Sequence, residues 1–138
     1  MKAAWVGLVA LVATSAWAQT ATMKQLMLDL IHPASNDILL FVNRGAPKQD
    51  AQWAMVRRSA LALEESGNLL TMAGRVPKEG DWAKDARALA DVGAAAYKAA
   101  QAKDFPALAA LTESLDASCT NCHKQYRPNV FPREGGSK

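Results

Sequence analysis

The sequence predicts an all-α protein, and three features of its patterning and composition support this. It lacks the runs of alternating β-branched residues that are typical of strands, and it is rich in alanine and leucine. Four segments carry apolar residues at spacings of three and four, and short stretches with glycine and proline separate them. Half of the 138 residues are hydrophobic and 21% are charged, a balance typical of a globular domain. Four helices of comparable length with short connections favour an antiparallel four-helix bundle.

The first 18 residues (1–18) are predicted to be a secretory signal peptide, so that the mature domain spans residues 19–138. A short basic start precedes an apolar run over residues 3–14, and Ala16-Trp17-Ala18 is a small-x-small cleavage site. The apolar run is shorter than the ~20 residues that a membrane-spanning helix needs, which favours a cleaved signal over a membrane anchor. No other segment of the sequence is apolar enough to span a bilayer. We therefore expect an exported, periplasmic domain without a membrane span.

The first helix is predicted over about residues 22–43, with an interruption at Pro33. Proline removes a backbone donor and clashes with the preceding turn, so we expect a kink, or a break and restart, at this point. Ser35, Asn36 or Asp37 would then serve as a new N-cap. The apolar face of the first half consists of Met23, Leu26, Met27, Leu30 and Ile31.

Three further helices complete the predicted bundle. The second runs from about residue 50 to 73, the third follows an Asp81 cap to about residue 103, and the fourth follows an Asp104 cap to about residue 127. The expected buried stripes are Trp53, Val56, Ala60, Leu63, Gly67 and Leu70 on the second helix, Trp82, Leu89, Gly93, Ala96, Tyr97 and Ala100 on the third, and Leu108, Leu111 and Leu115 on the fourth. The last stripe leads on to Cys119, Cys122, His123 and Tyr126.

The pattern Cys119-Thr120-Asn121-Cys122-His123 on the last helix is the attachment signature of c-type haem. Positions three and four apart share one face of a helix, so both thiols can reach the two vinyl groups along one edge of a haem. His123 then projects its imidazole toward the iron as an axial ligand. We therefore expect one haem c, covalently bound on the C-terminal helix.

Three other uses of the two cysteines are less consistent with the sequence. A thioredoxin-like redox pair needs a preceding strand in a βαβ unit, and none is predicted. A structural zinc site needs four ligands, and only His32 remains as a further cysteine or histidine. A disulfide across so short a loop would stabilise the fold very little, and it would not explain the adjacent histidine.

A haem motif at the C-terminal end of a four-helix bundle, read as Cys119-x-x-Cys122-His123-x-x-Tyr126-Arg127, resembles the cytochrome c′ family, the class II c-type cytochromes. In class I cytochromes c the motif lies near the N-terminus. The resemblance covers the mature chain in architecture and the last helix in specific residues. It implies that Cys119 and Cys122 form the thioethers and that His123 is the proximal iron ligand. Arg127, one turn after His123, either pairs with a haem propionate or is a solvated cation at the helix C-terminus.

The resemblance also places the first helix on the distal side of the haem. In five-coordinate relatives an apolar side chain blocks the iron, and in six-coordinate low-spin relatives a methionine from this helix binds it. Met27 is the favoured distal ligand because it lies deeper in the helix, as the family's distal residue does. Met23, on the same face, is the alternative, and simple packing of both methionines is the third interpretation. His32 is a further candidate ligand, since haems with two histidine ligands exist, but it lies about 140° from Met27 around an ideal helix and is expected to face solvent.

These features lead us to expect a periplasmic monohaem cytochrome that carries single electrons. The alternative is a five-coordinate haem protein that binds small gases such as nitric oxide or carbon monoxide. An enzymatic role such as peroxidase is not expected, because peroxide cleavage needs an acid/base group near the iron. The one candidate on the distal helix is His32, which is expected to face solvent.

The expected partners are other periplasmic redox proteins, met through weak, transient contacts around the haem edge. The formal net charge of +3 for the whole chain, with no dense basic run, argues against nucleic acid as a partner. Relatives often dimerise through their first two helices, so a homodimer is compatible with the resemblance.

Overall fold

This computed structural model describes residues 21–46 and 48–129, which contain four helices and their connections. Helix α1 covers residues 23–44 as Met23–Gln25, Leu26–Ile31 and His32–Arg44, α2 is Asp50–Leu70, α3 is Trp82–Gln101, and α4 covers residues 105–126 as Phe105–Ala110 and Thr112–Tyr126. These residues contain no strand, which confirms the all-α prediction. None of their helices is both long enough and apolar enough to cross a membrane. The predicted signal peptide and the tail from Phe131 lie outside the described residues.

Helix α1 continues through Pro33 instead of stopping and restarting there. The segment Leu26–Ile31, just before the proline, is π-helical, and the backbone N–H of His32 donates to the carbonyl of Met27 five residues earlier. A proline ring clashes with the carbonyl four residues before it in an α-helix, and the wider π turn relieves this contact. Of the two outcomes expected at Pro33, a kink or a break with a new cap, the break is therefore wrong. The Ser35 hydroxyl instead donates to the carbonyl of Ile31 at 3.0 Å, within the helix.

Two of the helix starts are fixed by side-chain caps. Thr22 forms a capping box with Gln25, in which the threonine hydroxyl accepts from the Gln25 N–H and the glutamine side chain accepts from the Thr22 N–H. The Asp104 carboxylate accepts from the Ala107 N–H at 2.9 Å, as expected for the cap of α4. Asp81 occupies the cap position of α3 but makes no capping hydrogen bond within the described residues.

Helices α2 and α3 approach each other closely at two glycines. A Cβ atom on Gly67 would lie 2.6 Å from the carbonyl oxygen of Ala86, and one on Gly93 would collide with the backbone nitrogen of Glu64. The absence of side chains at these two positions lets the backbones come together. The contact is the main packing interface that holds α3 in position.

Side chains from all four helices form one hydrophobic core. The six residues of the predicted α2 stripe are buried, and Val56, Ala60 and Leu63 are completely inaccessible. On α3 only Tyr97 of the predicted stripe is partly exposed, and on α4 only Leu111 is. The stripes therefore predicted the inward faces of these helices well.

Candidate functional site

The last turns of α4 carry the motif that the sequence singled out. Cys119, Cys122 and His123 lie in the segment Thr112–Tyr126, and each side chain is partly buried. Both cysteines are free thiols. All three residues line one small inner cavity of about 40 Å³, whose other walls are mainly apolar residues of α1, α2 and α3, with Asp85 and Ser118 as the polar exceptions. The helix thus presents the thiols and the imidazole to a single region of the core.

A wider cleft of about 750 Å³ adjoins this inner cavity. Its walls are the start of α1, the α2–α3 connection, the first turn of α3 and the end of α4. Four residues line both spaces, namely Met27, Trp82, Cys122 and His123. The motif on α4 and the face of α1 that carries Met27 therefore border the same space.

The three candidates for a distal ligand lie at different places. Met27 is partly buried, packs against the hydrophobic core and lines both the cleft and the inner cavity. Met23 is also partly buried but lines only the outer cleft. His32 is exposed and lines neither space. Of the three, Met27 is the one that contacts both the outer cleft and the inner cavity beside the motif.

Burial makes both cysteine thiols weaker acids than an exposed thiol. It raises the pKa of Cys119, and the hydroxyls of Ser118 and Ser35 act in the opposite direction without outweighing it. At Cys122, burial and then the Asp85 carboxylate raise the pKa to about 11. Both side chains are therefore neutral thiols at neutral pH.

The surroundings of His123 favour the neutral form of its imidazole. Burial lowers the pKa of His123, and the positive charge of Arg127 lowers it further. A neutral imidazole is the form that binds a metal. Arg127 itself is exposed and borders the cleft, and its backbone N–H donates to the His123 carbonyl at 2.7 Å where α4 ends.

An aromatic pair fixes the end of α4 against the start of α3. The rings of Trp82 and Tyr126 meet edge to face, with 4.8 Å between their centroids. The indole N–H of Trp82 donates to the Leu70 carbonyl at 2.8 Å, which ties this ring to the end of α2. Gly80, with a φ of +101°, lies so close to the Tyr126 hydroxyl that a Cβ atom would collide with it. The sequence placed Tyr126 on the apolar stripe and in the motif, but it did not predict this aromatic contact.

Sequence reasoning missed three polar residues of this region. Asp85 borders the inner cavity, and its Oδ2 atom is buried without a hydrogen-bond partner among the described residues. Lys24 and Arg75 line the outer cleft. Asp85 is an acidic residue on an amphipathic helix, where charged residues are common, and Arg75 lies in a loop with no periodic pattern. Neither residue therefore stands out in the sequence. Only the folded chain brings these residues to the motif.

The described residues contain no group of three or more histidine, cysteine, aspartate or glutamate side chains arranged to hold a metal ion by themselves. The motif contributes one histidine and two thiols, on a single helix. Comparison with known proteins gave no match for this chain among protein-family models, curated proteins or solved structures.

Proposed function

We propose that this protein is a periplasmic c-type monohaem cytochrome of the cytochrome c′ family, an antiparallel four-helix bundle that carries single electrons. The observation that carries the proposal is the position of the motif. Cys119, Cys122 and His123 line the inner cavity, and Met27 of α1 lines the same cavity. A cysteine pair and a histidine at attachment spacing, beside a methionine from another helix, is the side-chain set of a six-coordinate haem c.

The cleft has the size and chemistry that suit a haem. Its volume of about 750 Å³ lies within the ~300–1,000 Å³ range of pockets that enclose small molecules and cofactors. The adjoining inner cavity, beside the motif, has mainly apolar walls, with Ile31, Leu70 and Leu89 among them. The outer cleft is lined by the cations Lys24, Arg75 and Arg127. This division suits a flat apolar ring that carries carboxylates at one edge.

Each motif residue then has a defined role. The neutral thiols of Cys119 and Cys122 would add across the two vinyl groups of a haem to form two thioether bonds, and the neutral imidazole of His123 would supply a nitrogen ligand. Met27, which lines both the cleft and the inner cavity, would supply a thioether sulfur as a second axial ligand. The bound haem would supply a one-electron ferric–ferrous couple. Ligands that are held by packed helices change little between the two oxidation states, which favours rapid electron transfer.

Exposed apolar side chains near the cleft support brief contacts with redox partners. Leu28 lines the cleft and is 57% exposed, and Met72 and Val76 in the α2–α3 connection are about half exposed. Small apolar patches with charged neighbours are typical of weak, transient interfaces. We propose other periplasmic redox proteins as the partners.

A second candidate, gas binding at a five-coordinate iron, is supported by the packing of Met27. Its side chain contacts the hydrophobic core, as expected for a methionine that fills space rather than binding a metal. In that case the iron would keep one open position for nitric oxide or carbon monoxide.

Absorption spectra of the haem-loaded protein separate the two candidates. Spectra are recorded for the oxidised protein, then for the dithionite-reduced protein, and last after addition of carbon monoxide. Sharp α and β bands that carbon monoxide does not move support the electron carrier. A broad high-spin spectrum that shifts at once supports gas binding. The lack of a reversible redox couple with any donor or acceptor would contradict the carrier proposal.

A further inference from the structure

Arg75 connects two chain segments that are distant in sequence. Its Nη1 atom donates to the carbonyl of Leu69, near the end of α2, at 2.9 Å. Its Nη2 atom donates to the carbonyl of Ala21, just before α1, at 3.1 Å. The side chain therefore ties the α2–α3 connection to the start of the helix that carries Met27. Both acceptors are main-chain atoms, so the position of the guanidinium depends on the backbone and not on other mobile side chains.

Arg75 also retains donors for a ligand in the cleft, which it lines. A guanidinium has five N–H donors in a fixed planar arrangement. Two donate to the carbonyls, and Nη1 also contacts the sulfur of Met72 at 3.4 Å. At least two donors are left for an anion, and a planar guanidinium is well suited to pair with a carboxylate.

The other two cations of the cleft are less well placed to hold an anion. Lys24 is an exposed point charge on a flexible side chain, on the first turn of α1. Arg127 is exposed, and within the described residues its side chain makes no hydrogen bond or ion pair that would fix it. A cation that is already held in place loses less conformational entropy when it binds a ligand. The described residues that line the cleft include no aspartate or glutamate, so none of them carries a negative charge that would offset that of Arg75.

We propose that Arg75, rather than Arg127, is the residue that binds a carboxylate of the haem, and that this contact fixes the start of α1. The proposal rests on the proposed haem attachment and deepens it. Ala21 immediately precedes the Thr22 capping box, and Met27 lies five residues after that cap in the π-helical segment. A carboxylate bound to Arg75 would hold the guanidinium against Ala21, and so hold the first turns of the helix that presents Met27. Arg75 is thus a binding residue for the cofactor and a positioning residue for the distal ligand.

The test compares Arg75→Gln with Arg127→Gln in the haem-loaded protein. Both variants lose one positive charge from the same cleft, but only the first loses the bonds to Ala21 and Leu69. The midpoint potential is measured as a function of pH, and amide hydrogen exchange is measured over residues 21–31. Arg75→Gln should raise the pKa of the redox-linked carboxylate ionisation more than Arg127→Gln does. It should also speed exchange over residues 21–31 about tenfold or more, and Arg127→Gln should not.

Arg75→Lys separates the effect of the charge from the effect of positioning. It also replaces the glutamine variant if circular dichroism shows that Arg75→Gln does not fold into helices. Lysine keeps the charge, but its single nitrogen lacks the planar fork with which the guanidinium bonds Leu69 and Ala21 through two separate nitrogens. The carboxylate pKa should then stay near that of the wild type, whereas exchange over residues 21–31 should rise. Equal effects of the glutamine variants on the carboxylate pKa, or unchanged exchange in both Arg75 variants, would overturn the proposal. Failure of the proposed function looks different, because the wild-type protein itself would then carry no covalent haem.

Discussion

Met27 is the residue that distinguishes the two proposed functions, electron transfer and gas binding. It is the candidate distal residue that borders both the outer cleft and the inner cavity. In the haem-loaded protein, Met27→Ala should convert a low-spin reduced spectrum into a high-spin one that carbon monoxide shifts at once, because it removes the sixth ligand. Met23→Ala is the matched control, since Met23 lies four residues earlier on the same helix and lines only the cleft. A low-spin spectrum that survives Met27→Ala and is lost in Met23→Ala would assign the ligand to Met23.

Cys122 gives a prediction for the protein without haem, kept reduced. The thiol has a usual pKa of 9.0, and burial raises the folded-state value to about 11. Between these values the unfolded chain loses a proton that the folded chain keeps. The free energy of unfolding should therefore fall as pH rises from about 9 to about 11, which urea titrations would measure. Cys122→Ala should show a smaller fall over the same window. Parallel pH profiles for the two proteins would show that burial does not act on this thiol.

At this scale the sequence predicted what is local and missed what depends on distant contacts. Cys119, Cys122 and His123 stand out in the sequence because the proposed attachment chemistry requires them within five consecutive residues. Arg75 could not be recognised, because its bond to Ala21 spans 54 positions and involves a main-chain acceptor that carries no sequence signal. Asp85 was equally hidden, since an acidic residue on an amphipathic helix is usually solvated.

At the scale of the elements, the first helix accommodates Pro33 in a way that the sequence did not predict. The sequence indicated correctly that Pro33 disturbs a regular α-helix. The chain accommodates the proline with one π-helical segment, Leu26–Ile31, rather than with a break. The segment includes Met27, so the position of this side chain depends on the π turn. Apolar periodicity alone does not reveal such a turn, because the spacing of the buried residues remains close to helical.

The α2–α3 connection gives a prediction about the end of α4. Gly80 and Gly74 both have positive φ, +101° and +85°, so alanine costs about 1–2 kcal/mol of backbone strain at either position. Only at Gly80 would the new Cβ atom collide with Tyr126 and approach the Gln125 side-chain nitrogen at 2.6 Å. Gly80→Ala should therefore lower the free energy of unfolding more than Gly74→Ala does, as measured by urea denaturation. Equal losses would mean that the contact with Tyr126 contributes nothing to stability.

For the molecule as a whole, the contact between α2 and α3 is a direct test of the packing. A Cβ atom on Gly93 would collide with the backbone of Glu64 and lie 3.0 Å from the Ala60 carbonyl oxygen. Backbone atoms cannot move aside cheaply, so Gly93→Ala should destabilise the protein by about 1–3 kcal/mol, although alanine is the better helix former. Ala88→Ser, on the exposed side of the same helix, should stay within about 0.5 kcal/mol. A stabilising effect of Gly93→Ala would show that the helices are farther apart.

The sequence predicted the helices and their inward faces, but not how the helix ends meet. Stripes of Leu, Ala and Gly at helical spacing specify which side is buried, and Trp53, Leu63 and Ala100 lie in the core accordingly. The cleft is formed where the start of α1, the α2–α3 connection and the end of α4 meet. Its shape depends on contacts such as that of Trp82 with Tyr126, which no local pattern encodes.

Covalent haem attachment is the central claim, and the mass of the protein tests it most directly. The full chain is expressed in cells that export and mature c-type cytochromes, and the purified protein is weighed intact after removal of non-covalent ligands. We predict a chain beginning at Gln19 with the added mass of one haem. The variant with both Cys119→Ala and Cys122→Ala should lack that mass. A wild-type protein that exits the same cells folded and helical but with the mass of the polypeptide alone would contradict the account.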